Sequence, residues 1–85
     1  MHDPTAQLVK MANQIGSFFE AQTPNDPATA RLAIVGHLKS FWAPSMRRQL
    51  MGELDAGGAG DLMPIVALAV RSHRDKLVAA AQAHS

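Results

Sequence analysis

The stretch Phe41-Trp42-Ala43-Pro44-Ser45-Met46-Arg47-Arg48 gathers the only tryptophan, a phenylalanine, a proline and two arginines within eight residues. Aromatic residues make up 5% of the chain, so two adjacent ones are a concentration. Tryptophan and arginine are the types most enriched among interface hot spots. On that ground Phe41, Trp42, Pro44, Met46 and Arg47 are the candidate partner-binding residues. At 100° per residue, Arg47 falls inside an apolar arc and Arg48 outside it. A stem packed on apolar neighbours leaves the Arg47 guanidinium free to meet a carboxylate or phosphate bidentately. The competing reading makes Phe41 and Trp42 plain core and pairs Arg47 within its own chain, with Asp55 or Glu53.

A second chemistry is open to the same corner. Trp42 could stack on a nucleotide base while His37, Arg47 and Arg48 meet its phosphates. Catalysis finds less support: no nucleophile, base and orienting group recur at recognisable spacing, so no catalytic residue is assigned. The four histidines, His2, His37, His73 and His84, form no i, i+4 pair and no HExxH cluster, so no metal ligand is assigned either. His73 lies on an apolar stripe and reads as a hydrogen-bonded core imidazole. His37 borders the aromatic face. With no cysteine in the chain, disulfides, thiolate-held zinc, iron–sulfur clusters and cysteine nucleophiles are excluded.

Eighty-five residues make one small domain, 1–85, with a radius of gyration of roughly 12 Å. A chain this short hides about 60% of its unfolded surface, which favours a partner covering one face. The net charge of +1 is too small for nucleic-acid binding. No basic leader precedes an apolar segment, and no apolar run reaches the roughly 18 residues of a membrane span. A cytoplasmic protein is the expectation.

The elements that must hold the corner are all helical. Asp3-Pro4 and Asp26-Pro27 each read as an N-cap followed by proline at the first helical position. The first helix should run over about 4–22, with Leu8, Ala12, Ile15 and Phe19 at the centre of its apolar stripe. Met11 and Phe18 flank that stripe, and Lys10, Asn13, Ser17 and Glu20 face away. Gly16, mid-helix beside the stripe, suggests close approach of another backbone. A second helix follows over 27–42, with Ala28, Ala30, Ile34, Val35, Leu38, Phe41 and Trp42 spread over nearly half the wheel, enough to touch two elements. Pro44 breaks it. A short third helix spans 45–54 with Met46, Leu50, Met51 and Leu54 inward. Residues 55–60 form a flexible glycine loop whose GGxG spacing matches no phosphate-binding pattern. A last, alanine-rich helix covers 62–82, capped by Asp61, with Val66, Ala69, Val70, His73, Leu77, Ala80 and Ala81 on one side. The fold class is all-α, a single-domain bundle of about four helices, three longer and one short.

The residues also match a known family. Leu8-Val9-Lys10-Met11-Ala12-Asn13-Gln14-Ile15-Gly16 with Phe18-Phe19, then His37-Leu38, Phe41-Trp42, Pro44, Met46-Arg47-Arg48 and Leu50, then Asp55-Ala56-Gly57-Gly58, Leu62 and Pro64, resemble the delta subunit of NAD-dependent, molybdenum-containing formate dehydrogenase. The likeness runs from about residue 8 to residue 70. Ser45 departs from it, standing where the family commonly has a basic residue. The resemblance implies a non-catalytic accessory subunit of a cytoplasmic bacterial complex, whose larger subunits carry the molybdenum guanine-dinucleotide cofactor, iron–sulfur clusters and flavin. Docking on the catalytic subunit, with a part in assembly, cofactor insertion or stability, is what it leads one to expect. The alternatives are direct, transient binding of the molybdenum cofactor or its guanine nucleotide portion through His37, Trp42, Arg47 and Arg48, and a homodimer when isolated.

Overall fold

Four of the five prolines stand at the first position of a helix. A computed structural model describes residues 4–57 and 60–77, and its helices are α1 (Pro4–Gln22), α2 (Pro27–Phe41), α3 (Pro44–Asp55) and α4 (Pro64–Ser72). Proline is cheap there because its missing N–H has no intrahelical partner to lose. It also holds the preceding residue out of the α region: Ala43 (φ −63°, ψ 147°) and Met63 (φ −58°, ψ 141°) are both extended. No strand occurs among the described residues.

Asp26 caps α2 as its position suggests. Its carboxylate accepts the Thr29 N–H at 3.1 Å and the Thr29 hydroxyl at 2.6 Å, and these bonds, the hydroxyl first, hold the carboxyl below its usual range. The matching cap expected at Asp3 lies outside the described residues. At the far end α2 stops at Phe41, one residue earlier than the periodicity suggests. Trp42 leaves the helix in extended geometry (φ −89°, ψ 140°), with its N–H still bonded to the Leu38 carbonyl.

Every pair of helices touches, with α1 on α2 and α2 on α4 the most extensive interfaces. The broad α2 stripe serves this purpose. Ile34, Leu38, Leu50, Val66 and Val70 are the largest fully enclosed side chains, joined by Leu8, Ala12, Met51, Leu54 and Trp42. Burial of a Leu, Ile or Val is worth about 1.5–3 kcal/mol each, and these residues carry the fold. The radius of gyration, 12.4 Å, agrees with the length-based expectation.

The chain departs from the sequence-based expectation in its second half. The last helix is shorter: it begins at Pro64 rather than at 62 and ends at Ser72, where His73 (φ −125°, ψ 30°) leaves helical geometry. A further helical turn covers 74–77; the remainder of the expected helix, Ala80 and Ala81 included, lies outside the described residues. His73 is half-buried at the break rather than a core imidazole. The break serves two contacts. Leu77 enters the core, and Arg74 reaches back to Asp55 at the end of α3, donating at 3.0 and 2.7 Å. In the expected 55–60 loop, Asp55 belongs to α3, Ala56 caps it, and Gly57 (φ 78°) takes the left-handed conformation that ends many helices. Gly58 and Ala59 lie outside the described residues.

Candidate functional site: an aromatic groove between α1 and α2

The two adjacent aromatics of the corner part company. Trp42 is 6% exposed and packs in the core, whereas Phe41, at the last position of α2, is 75% exposed. Trp42, a candidate partner-facing anchor and base-stacking platform, is enclosed in the core except for an edge at the surface. That edge meets a groove of about 360 Å³ between α1 and α2, lined by Met11, Gln14, Ile15, Phe18, Phe19, His37 and Trp42. None of these side chains is a carboxylate, a lysine or an arginine.

Aromatic contacts run along the groove. Phe18 stands edge-on to Phe19 (centroids 5.1 Å apart), Phe19 lies 6.1 Å from His37, and His37 lies 4.7 Å from Phe41. His37 is half-buried, so its ring bridges the groove wall and the exposed Phe41. Phe18 is 57% exposed. Two consecutive residues on a helix point 100° apart, so Phe18 and Phe19 cannot both face one neighbour; that spacing was the available signal for a surface contributed by α1. Sequence reasoning gave Met11, Ile15, Phe18 and Phe19 to the core stripe and missed their second role.

The remaining corner residues take separate places. Pro44 is exposed at the start of α3, and Met46 is half-buried against the core. Arg47 and Arg48 differ as the wheel suggests, the first half-buried and the second exposed. Arg47 finds its own-chain partner in neither Asp55 nor Glu53: one terminal nitrogen donates to the Lys39 carbonyl at 3.1 Å, while its enclosed Nε has no partner among the described residues. It ties α3 to the carbonyl end of α2. Among the described residues, no group of three His, Asp or Glu could hold a metal ion.

A second feature explains the Lys10-Met11-Ala12-Asn13-Gln14-Ile15-Gly16 stretch. Asn13, expected to face solvent, reaches the start of α4. Its amide nitrogen donates to the Asp61 carbonyl at 2.9 Å, and its amide oxygen accepts the Met63 N–H at 2.8 Å. Asn13 thus holds the approach to α4, where the sequence suggested a cap from the Asp61 side chain; no side chain caps the helix locally. Ala12 is fully enclosed. One turn on, a Cβ at Gly16 would collide with Cγ2 of Val66. The neighbour that requires glycine is therefore a side chain of α4, not its backbone. Beside this clasp lies a larger hollow of about 670 Å³, with Thr5, Lys10, Glu53 and Asp61 on its walls. Its lining mixes polar and apolar groups, and its Asn13 is already engaged in bonding.

A family model for the NADH-dependent formate dehydrogenase delta subunit, FdsD, matches residues 7–70. The chain belongs to this family. The match takes in most of α1, all of α2 and α3, and α4 as far as Val70, so both the Asn13 clasp and the aromatic groove fall within the delta-subunit region. No curated protein and no solved structure matches the chain. Among the described residues no helix is long and apolar enough to cross a membrane.

Proposed function

We propose that the chain is a non-catalytic accessory subunit that docks on the catalytic subunit of a cytoplasmic formate dehydrogenase, through the groove between α1 and α2 and the adjoining Phe41. In this reading, docking helps the molybdenum centre to form or to be retained. The observation that carries it is the placement of Phe41: a large apolar ring, 75% exposed, whose centroid lies 4.7 Å from that of His37 on the wall of an apolar groove. Exposed aromatic side chains grouped with a concave apolar surface mark a place where a partner can bury them. The division of labour fits the composition, because a chain without cysteine supplies no thiolate to a cluster or metal.

The test is co-purification of Phe41→Ala and Phe18→Ala variants with the large subunits. Loss of a central aromatic anchor should weaken retention by about 2 kcal/mol, or roughly thirtyfold, and lower the molybdenum content of the recovered enzyme. Full retention and full molybdenum in both variants would defeat the proposal.

Direct nucleotide binding has less support. With the Trp42 ring in the core, the groups left for a guanine nucleotide are His37 and Arg48, plus the terminal nitrogen of Arg47 not bound to Lys39. No observation places them around one ligand.

A further inference from the structure

One group on the groove wall can change its charge. Among the residues that line the groove, the His37 imidazole is the single ionisable side chain. Phe19 and Phe41 flank that ring, at 6.1 and 4.7 Å between centroids. Neither of its nitrogens has a hydrogen-bond partner among the described residues, and neither is enclosed, so both reach solvent in the free chain.

No fixed charge in the groove offsets a proton on that ring. Of the charged residues on α1, Lys10 lines the larger hollow, and Glu20 stands about 100° round the helix from Phe19. On α2, Arg31 and Lys39 stand about 120° and about 200° round from His37, and Asp26 caps the opposite end. Behind α2, Arg47 is turned onto the Lys39 carbonyl, and Asp55 pairs with Arg74. Arg48, Glu53, Arg71 and the described charged residues beyond Ser72 are likewise absent from the lining. Burial without an opposite charge disfavours the ionised form of a group. A partner that covers this groove therefore meets an unopposed cation whenever His37 is protonated.

Resting on the docking reading above, we infer that docking is proton-linked through His37: the occupant is an uncharged, apolar segment of the catalytic subunit that covers the imidazole in its neutral form. The lining favours that occupant, because a charge set into it would find no counter-charge beside a neutral His37. The imidazolium is hydrated in the free chain and stripped of water in the complex, so binding releases a proton. Binding also weakens as pH falls through the range in which imidazoles titrate, near about 6.5. Acidification thus loosens the subunit from the enzyme. A partner carboxylate facing His37 would reverse this, since binding would then take up a proton.

The experiment is calorimetric titration of the large subunits with wild type, Phe41→Ala, His37→Gln and His37→Leu. Two buffers of different ionisation enthalpy give the number of protons exchanged. Neither His37 variant can titrate at that position, one keeps it polar and the other apolar, and each is judged by its response to pH rather than by its affinity at one pH. At a pH of about 6.5, wild type should release about half a proton more than either His37 variant. Its dissociation constant should rise about tenfold from a pH of about 8 to about 5.5, and theirs by less than about threefold. If Phe41→Ala weakens binding while wild type and the His37 variants exchange protons equally, the groove docks but the linkage is overturned. Proton uptake by wild type that the His37 variants lack would assign a carboxylate to the partner and overturn the uncharged occupant. If Phe41→Ala and both His37 variants match wild type at every pH, the docking site itself is wrong and this inference falls with it. Concentration-dependent dimerisation of the isolated chain that Phe41→Ala abolishes would assign the groove to a second copy and overturn the catalytic-subunit segment.

Discussion

Phe41 and Trp42 show how one backbone step can separate a core residue from a contact residue. Up to Phe41 the chain is helical; at Trp42 it turns extended, two residues ahead of Pro44, and the indole swings into the core. The corner was legible from its density of aromatics, proline and arginine. Which aromatic faced outward was not, because periodicity assigns both to one stripe and only the exit geometry parts them. Trp42→Ala should therefore cost about 3–5 kcal/mol, a large share of what a chain of this length usually possesses. Phe41→Ala should stay within about 0.5 kcal/mol. Urea unfolding followed by circular dichroism separates the two, and equal losses would contradict the assignment. Gly16 gives a second test at this scale. Alanine normally gains about 1 kcal/mol over glycine inside a helix, yet here its methyl would meet the enclosed Val66. Overpacking of about 1–3 kcal/mol should prevail. Gly16→Ala should destabilise, and the Gly16→Ala/Val66→Ala pair should lose less than the sum of the single losses.

Helix boundaries were readable where a local signal sets them and unreadable where a distant residue does. Proline before a helix and Asp26 three residues before Thr29 are local, and the α1, α2 and α3 starts follow them to within a residue. The α4 start carries the same local signal in Pro64, but what holds the approach to it is Asn13, 50 residues upstream of Met63, and no local pattern discloses that clasp; in α1 the same asparagine reads as one polar residue among several. The break at His73 is of the same kind. It has no proline or glycine to announce it and answers to the placement of Leu77 and the pairing of Arg74 with Asp55. Two sets of side-chain bonds also set a pH dependence. Thr29 lowers the pKa of Asp26, and the Arg74 hydrogen bonds lower that of Asp55 while Asp55 raises that of Arg74. A carboxyl lowered by folding supports the native state above its unfolded value, near about 3.9, and loses that support as pH falls through its folded value. Urea midpoints should decline as pH is lowered from about 5 toward about 2. Asp26→Asn and Asp55→Asn should each flatten the decline, and the Asp55 contribution, being an exposed ion pair, should also shrink with added salt. An unchanged slope in both variants would remove these carboxyls as its cause.

At the scale of the molecule, the all-α class and the number of main helices follow from periodicity and proline placement, since each apolar stripe has to find a neighbour. The groove does not follow, because it arises from what is left over after α1 and α2 have packed: one side of Phe19, the outward ring of Phe18 and an edge of Trp42. Large exposed apolar side chains also occur at Leu32 and Leu68, so more than one face could be covered in an assembly. Amide hydrogen exchange can decide between them, because an amide is slowed when a partner suppresses the local opening that exposes it. If the groove is the docking surface, residues 14–19 and 37–42 should exchange more slowly in the complex than in the isolated chain. The turns bearing Leu32 and Leu68 should change little, since the groove lining includes neither residue. Slowing confined to the Leu32 and Leu68 turns would move the interface to those faces and leave Phe41 without a partner. Slowing spread evenly over all four helices would instead point to general stabilisation by mass action, because binding to the native chain alone adds about 2.7 kcal/mol at a partner concentration one hundred times the dissociation constant. That contribution reaches only amides that exchange through global unfolding. Amides near the helix ends exchange through smaller openings, so residues 37–42, at the C-terminal end of α2, are the ones whose protection is diagnostic of contact.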